Sequence, residues 1–586
     1  MAIIRTMVMT LFILVMIIIL TLWFINGYFH ISLPDYQPVN EVQQLDQNWT
    51  AEQRQWFYHT PQGTLVMPYQ WFLALEQPQI SLFSAVPLFR ADDYLGRFGF
   101  IPNSKHKYNP DGLPIGFTKN DRFVDPMTQE AMTVAGLTCA ACHTGQMNYK
   151  GVGVRVDGAP AMTNVNKFQK ALGNALFLTY YDPFKFDRFA KRVLGENYNA
   201  DNKDKLQQKL KQALDQGKAE EKLNQERHLY PTEEGFSRLD ALGRIGNFVF
   251  GTELNNDNLR VVNAPVNFPQ LWDTSWLDWV QFNGSVRQPM VRNVGEALGV
   301  RALVNLKGPP EDLFKSTVEV KNIYEMENLL AGPQPFQGLR SPVWPENILG
   351  TIDREKAEQG AKHYKKYCQK CHLPPMDSPE ISLPQYWTTP NEWDKSFLKV
   401  TMVNIWRIGT DPTEVINFYQ RTADTGMPKL GVITAAIGLR VVTEKVAQRK
   451  YDELQLPAEE RIEWDGYREN LVRAPLAYKA RPLNGIWATA PYLHNGSVPN
   501  LYQLLLPAEQ RDQRFYLGSK EFDPKPVGFE TTKIEGGFEL RTEMTGNSNA
   551  GHEFRNIFNG SSVKGVIGPE LSDPERWELV EYLKTL

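Results

Sequence analysis

Residues 139–143 read Cys139-Ala140-Ala141-Cys142-His143, and the same spacing returns once, as Cys368-Gln369-Lys370-Cys371-His372. The chain has four cysteines, all in these two pentapeptides, so none is left for a disulfide or a general structural role. Two thiols three residues apart reach the two vinyl groups of one porphyrin, and a His directly after them can swing its imidazole under the iron. This is the C-x-x-C-H pattern of covalent haem attachment. A structural zinc knuckle wants its Cys pairs about 15 to 20 residues apart, whereas Cys142 and Cys368 lie more than two hundred apart. A thioredoxin-type pair gives no reason for the following His, and with 9 His in 586 residues composition does not supply one twice. The expectation is two covalently attached c-type haems, held by Cys139 and Cys142 and by Cys368 and Cys371, with His143 and His372 as proximal ligands to iron.

Around these motifs the composition is that of a folded chain. With 42% hydrophobic residues there is material for a sizeable core, and 63 basic against 67 acidic residues give a net charge of −4. No field of one sign recruits nucleic acid or an anionic surface. The first 31 residues contain an uncharged apolar run, Thr6 to Ile25, about 30 Å long at about 1.5 Å per residue. A cleaved signal peptide has a shorter apolar region and a small-residue cleavage site. This run ends instead in Trp23, Phe24, Ile25, Asn26, Gly27 and Tyr28. It reads as an uncleaved transmembrane helix, with Trp23, Phe24 and Tyr28 at the interface. Arg5 before the span and Asp35 and Glu41 after it put the body outside the cytoplasm, a single-pass inner-membrane protein with its body in the periplasm.

Residues 32–95 form a Pro- and aromatic-rich linker and packed segment. An N-terminal haem domain over 96–344 follows, in which a helix is expected to lead into Cys139. Within it, 197–226 is a charged insertion whose Leu206, Leu210 and Leu214 make one narrow apolar stripe. An aromatic block, Trp272 to Gly284, precedes Val291 to Gly299; such aromatics build a core or sit beside haem faces. A C-terminal domain over 345–586 opens with a helical pattern, Asp353 to Tyr367, that runs into Cys368. It closes on a helix started by the capping box of Ser572 and Glu575. A helix ending at C-x-x-C-H with a C-terminal helix packed across it resembles a class I cytochrome c domain. The fold expectation is therefore mainly α, two such domains with large loop and helical insertions, preceded by one N-terminal transmembrane helix.

The run from Gly485 to Leu501, with Ala490-Pro491-Tyr492-Leu493-His494-Asn495-Gly496-Ser497 at its centre, resembles a segment of the dihaem cytochrome c peroxidases and their relatives. Gly546 to Phe554, containing His552, is similar to the branch that includes the bacterial rubber oxygenase. The resemblance covers most of 95–586. It implies that one haem keeps an open or displaceable sixth position for peroxide or dioxygen while the other is six-coordinate and passes electrons. It also implies that the haem of Cys139, Cys142 and His143 is the reactive one, and that His552 is the second ligand of the haem above His372. His494, near a propionate, and Met544 or Met376 are rival ligands. Relatives place a Glu and a Gln over the reactive haem; Glu296 in that role moves a proton between peroxide oxygens, Arg292 stabilises the departing oxygen's charge, and Gln288 is a weaker candidate for the Gln. Phe282 and Glu296-Ala297 depart from the rubber-oxygenase pattern, which weighs against rubber cleavage. The expected function is a peroxidase- or oxygenase-like dihaem oxidoreductase. Its partners are a periplasmic or membrane electron donor, with peroxide, dioxygen or a small organic molecule as substrate. The alternative is a dihaem electron carrier without chemistry of its own.

Overall fold

In a computed structural model of the protein, residues 2–81, 86–426, 431–556 and 563–586 are described, excepting the side chains of 2, 3, 14, 15, 17–19 and 21–23. The expectation of a mainly α chain is corrected: the fold is mixed, 41% helix and 15% strand, and the strands surround the first pentapeptide. β1 (Glu41–Gln44) runs parallel to β6 (Val152–Asp157), which pairs antiparallel with β5 (Thr144–Tyr149). A second sheet orders β2 (Met67–Pro68), β4 (Ala131–Leu137) and β3 (Phe117–Val124). The expected helix before Cys139 is thus β4, paired Phe117↔Leu137 and Thr118↔Gly136 with its neighbour. The reason is tertiary: Val134, Ala135, Gly136 and Leu137 are all buried, and cross-strand pairing outweighs the weak helical pattern of a seven-residue stretch. A short 3₁₀ turn, Cys139–Ala141, then carries the thiols. Gly116, at φ +89°, lets β3 approach this turn, since a Cβ there would lie 2.3 Å from the Ala141 backbone.

The helices that matter are α1 (Ala2–Phe29), α2 (Val165–Tyr181), α3 (Ala200–Glu226), α4 (Pro289–Gly299), α5 (Val320–Ala331), α6 (Arg354–Tyr367), α7 (Ala435–Glu453) and α8 (Asp573–Thr585). In the insertion, α3 starts on Asn199, whose side chain accepts from the Asn202 N–H, and buries Leu206, Leu210 and Leu214. α4, α5 and α7 build a separate core from Met290, Val294, Leu298, Ile323, Leu439 and Val446. The second pentapeptide has a helical frame. α6, capped by Asp353, runs into Cys368, and α8, started by the Ser572–Glu575 capping box, crosses it. Gly360 permits the crossing, because a Cβ there would lie 2.0 Å from the Glu578 carbonyl oxygen. Tyr364 and Tyr582 pack ring to ring at 5.2 Å beside it, and His363 Nε2 lies 2.9 Å from the Glu578 carboxylate.

The transmembrane expectation is overturned: among the described residues no helix is long and apolar enough to cross a membrane. The inner-membrane, periplasm-facing placement built on it falls with it. α1 forms over the expected stretch and exposes Ile4, Met7, Phe12 and Leu20, but its last turns belong to the folded body. Asn26 donates to the Ile80 carbonyl at 2.9 Å and accepts from the Ile80 N–H at 2.7 Å. Phe29 packs on Phe177 at 5.3 Å. Tyr28 and Phe29 border the cavity, Tyr28 and Phe24 are exposed, and the side chain of Trp23 lies outside the described residues.

Candidate functional site

Both pentapeptides open onto one cavity of about 1740 Å³, whose walls include Cys139, Cys142, His143, Cys368, Cys371, His372, His494 and His552. Burial pushes the thiols of Cys139, Cys142 and Cys368 up to about 12. A redox or metal-binding pair requires the reverse, a thiol pushed down to thiolate.

Each proximal candidate is oriented by a backbone carbonyl. His143 Nδ1 lies 2.8 Å from the Pro269 oxygen, and His372 Nδ1 lies 2.8 Å from the Arg481 oxygen. A carbonyl only accepts, so each Nδ1 carries the proton and each Nε2 keeps its lone pair for a metal. Burial pushes both imidazoles down to about 4, and they are neutral at pH 7, the form that ligates.

His552 faces His372 with ring centroids 6.0 Å apart. Two metal–nitrogen bonds of about 2 Å each plus the half-depths of two imidazoles fill that distance. His552 is pushed down to about 3, by burial first and then by His372 and Arg511, and its Nδ1 has no protein partner. Its loop is held from outside. The His552 N–H donates to the Ile408 carbonyl at 3.0 Å, while Arg511 donates to the carbonyls of Gly551 and His552, each at 3.0 Å. Asn495 donates to the carbonyls of Gly546 and Ser548 at 3.0 Å, and buried Arg238 reaches Asn547 at 2.8 Å. The two segments singled out in the sequence, 485–501 and 546–554, are therefore one hydrogen-bonded unit. Arg238 and Arg511, missed in the sequence because nothing local marks them, complete it.

Of the rival ligands, His494 shares this cavity wall and Met544 and Met376 do not. His494 is on the cavity wall, stacked on Tyr478 at 4.1 Å and 6.2 Å from Phe282. Met544 is exposed, and Met376 packs in a peripheral cluster.

Glu296 and Arg292 both reach the cavity from α4. Glu296 accepts from Gln281 Nε2 at 3.0 Å and lies 4.0 Å from the Arg292 Nε. Its side chain is 45% exposed, but towards the cavity; burial raises its carboxyl above the ordinary range, with Arg292 opposing. The Glu296 charge in turn helps raise the Cys139 thiol. Arg292 is committed to Glu327, to which its Nη2 donates, and its Nε donates to Asn293 at 3.0 Å. Gln288 caps α4 through the Val291 N–H. The amide beside Glu296 is instead Gln281, held at φ +68° in the turn between Val280 and Val286, a geometry that linear spacing does not reveal.

The residues fit haem. Beside the thiols and imidazoles, the cavity wall carries Arg481, whose Nη1 is buried without a partner, and Lys479, pushed down to about 7 by burial and the neighbouring Arg481. A buried guanidinium in no ion pair among the described residues suits a haem propionate. These features define a haem-binding, cytochrome c-type site. Residues 477–516, which hold the Arg481 carbonyl, His494, Asn495 and Arg511, match the family described as RoxA-like, cytochrome c-like. The chain is 47% identical over 586 residues to the uncharacterized protein y4iJ of Sinorhizobium fredii (strain NBRC 101917 / NGR234), with 96% of each covered. It is 26% identical over 338 residues to the uncharacterized protein y4iM of the same organism, over 54% of this chain and 64% of that one. The chain belongs to the family of y4iJ.

Proposed function

We propose that the protein is a dihaem c-type oxidoreductase. In this reading the haem of Cys139 and Cys142 meets peroxide or dioxygen, and the haem of Cys368 and Cys371 passes electrons. The observation that carries it is an asymmetry between the two motifs. His372 faces a second imidazole, His552, at 6.0 Å, whereas His143 has the Phe268 ring at 6.2 Å, and Glu296 and Gln281 line the cavity onto which it opens.

When bound, haem supplies an iron that takes up electrons one at a time and polarises a bound oxygen. The chain's own residues supply the proton chemistry. Reduction of peroxide to two waters takes two electrons and two protons. Glu296, with its raised pKa, accepts a proton from one peroxide oxygen and returns it to the other. Gln281 fixes the carboxyl by its 3.0 Å hydrogen bond. Arg292, neutralised by Glu327, holds this wall in place rather than acting as a free cation. The electron donor is a one-electron reductant, and the substrate is peroxide, dioxygen or a small organic molecule.

The test is spectroscopy of the purified ferric holoprotein. One high-spin haem that binds cyanide or reacts rapidly with peroxide, beside one inert low-spin haem, is the expected result. Two inert low-spin haems would replace the enzyme by an electron carrier.

A further inference from the structure

The two proximal imidazoles are joined through the protein by a bonded path that leaves from Nδ1, on the side away from each Nε2. The His143 Nδ1–H donates a hydrogen bond to the Pro269 carbonyl, and the His372 Nδ1–H donates one to the Arg481 carbonyl. Three residues beyond each acceptor the two loops meet: the Trp272 indole N–H donates to the Asn484 carbonyl at 2.9 Å. The Asn484 side chain donates to Asp273, fastening the same junction a second time. Trp272 is 0% exposed. Its ring lies between two glycines in left-handed conformation: a Cβ on Gly485 would come 2.8 Å from Trp272 Cζ2, and one on Gly158 3.5 Å from its Cε3. Gly158 is itself tied to both neighbours, donating to the His143 carbonyl and accepting from Leu271, each at 2.9 Å.

The path is thus three hydrogen bonds and two stretches of backbone, with one side chain in it. Electron tunnelling decays much more steeply across empty gaps than along bonds and hydrogen bonds. We infer that Trp272 positions a bonded electron route between the two haem sites, from His372 through Arg481 to Asn484 and through Trp272 to Pro269 and His143. The inference rests on the reading that both pentapeptides carry haem. One electron passes: the iron at His372 is oxidised and the iron at His143 is reduced, with a one-electron reductant refilling the first. No bond is made or broken, and each proton stays on its imidazole Nδ1, hydrogen-bonded to the carbonyl.

The experiment is pulsed reduction of the ferric holoprotein by methyl viologen radical, followed by the spectral exchange of the electron between the two haems. Trp272→Phe keeps an aromatic ring and removes the N–H. Trp276→Phe is the control, since its indole donates to Ala331 at 2.8 Å, off the path. The expected result is about a tenfold slower exchange in Trp272→Phe, unchanged haem spectra, and a wild-type rate in the control. Should Trp272→Phe lose haem, biosynthetic replacement of Trp272 by benzothienylalanine, which has the same shape and no N–H, gives the same reading. A wild-type rate in either Trp272 variant overturns the route, as does holoprotein with a single haem. Failure of the first haem to bind peroxide or cyanide instead overturns the proposed reaction and leaves the exchange rate readable.

Discussion

Two backbone carbonyls, of Pro269 and Arg481, determine what His143 and His372 can do, because each fixes the proton on Nδ1 and frees the opposite nitrogen. On the far side of the second motif, His552 is presented by a loop whose backbone is held independently of its imidazole. His552→Ala therefore leaves the loop in place and removes the proposed ligand. The second haem is expected to change from low-spin to high-spin in the ferric spectrum, and an unchanged spectrum would move the role to His494. Arg511→Lys tests the support, since a single ammonium cannot reproduce the forked contacts to Gly551 and His552. It is expected to give a mixture of spin states. Glu296→Gln keeps the contact with Gln281 and abolishes proton exchange. It is expected to slow the peroxide step by about 10²-fold or more with no loss of haem, measured by stopped flow. The pentapeptides, Glu296 and His552, which the structure brings to one cavity wall, were legible as candidates because their signal is local or carried by a recognisable segment. Gln281, Arg238 and Arg511 were not, since each acts through a contact made only when distant stretches meet.

At the scale of elements, the two attachment motifs sit in different frames. The second is helical, and the capping box and the pattern of 354–367 announced it in the sequence. The first follows β4, where buried strand pairing outweighs a short stretch's helical tendency; periodicity over seven residues cannot distinguish the two. Close approach makes each frame sensitive to one glycine. Gly360→Ala drives a methyl group into the Glu578 carbonyl and is expected to cost about 1–3 kcal/mol, seen as a lower unfolding midpoint in the haem-loaded protein. The equivalent change at Gly116 adds left-handed strain to a clash with Ala141 and is expected to cost more.

At the scale of the whole molecule, the cavity is walled by segments from both halves of the chain and surrounded by buried ionisable groups. Glu414, buried with its Oε2 unpartnered, has its carboxyl pushed up to about 8 by burial and then by Asp240. Folded, it holds its proton more tightly than the unfolded chain, whose carboxyl has the ordinary value of 4.5. Its contribution to stability is fully present below that value and is lost as pH rises through about 8. Chemical denaturation from pH 4.5 to 8.5 should show this decline, and Glu414→Gln should flatten it. The strand frame of Cys139 is assembled from residues 41 to 157, a compact stretch of chain. The pocket of Cys368 needs pieces as far apart as 354–372, 481, 546–554 and 573–585. Biosynthesis inherits that difference: the ribosome delivers the first cradle long before the second is complete. On the proposed reading that both pentapeptides carry haem, a pulse-labelled population should pass through a singly loaded species, modified at Cys139 and Cys142, before the doubly loaded one appears.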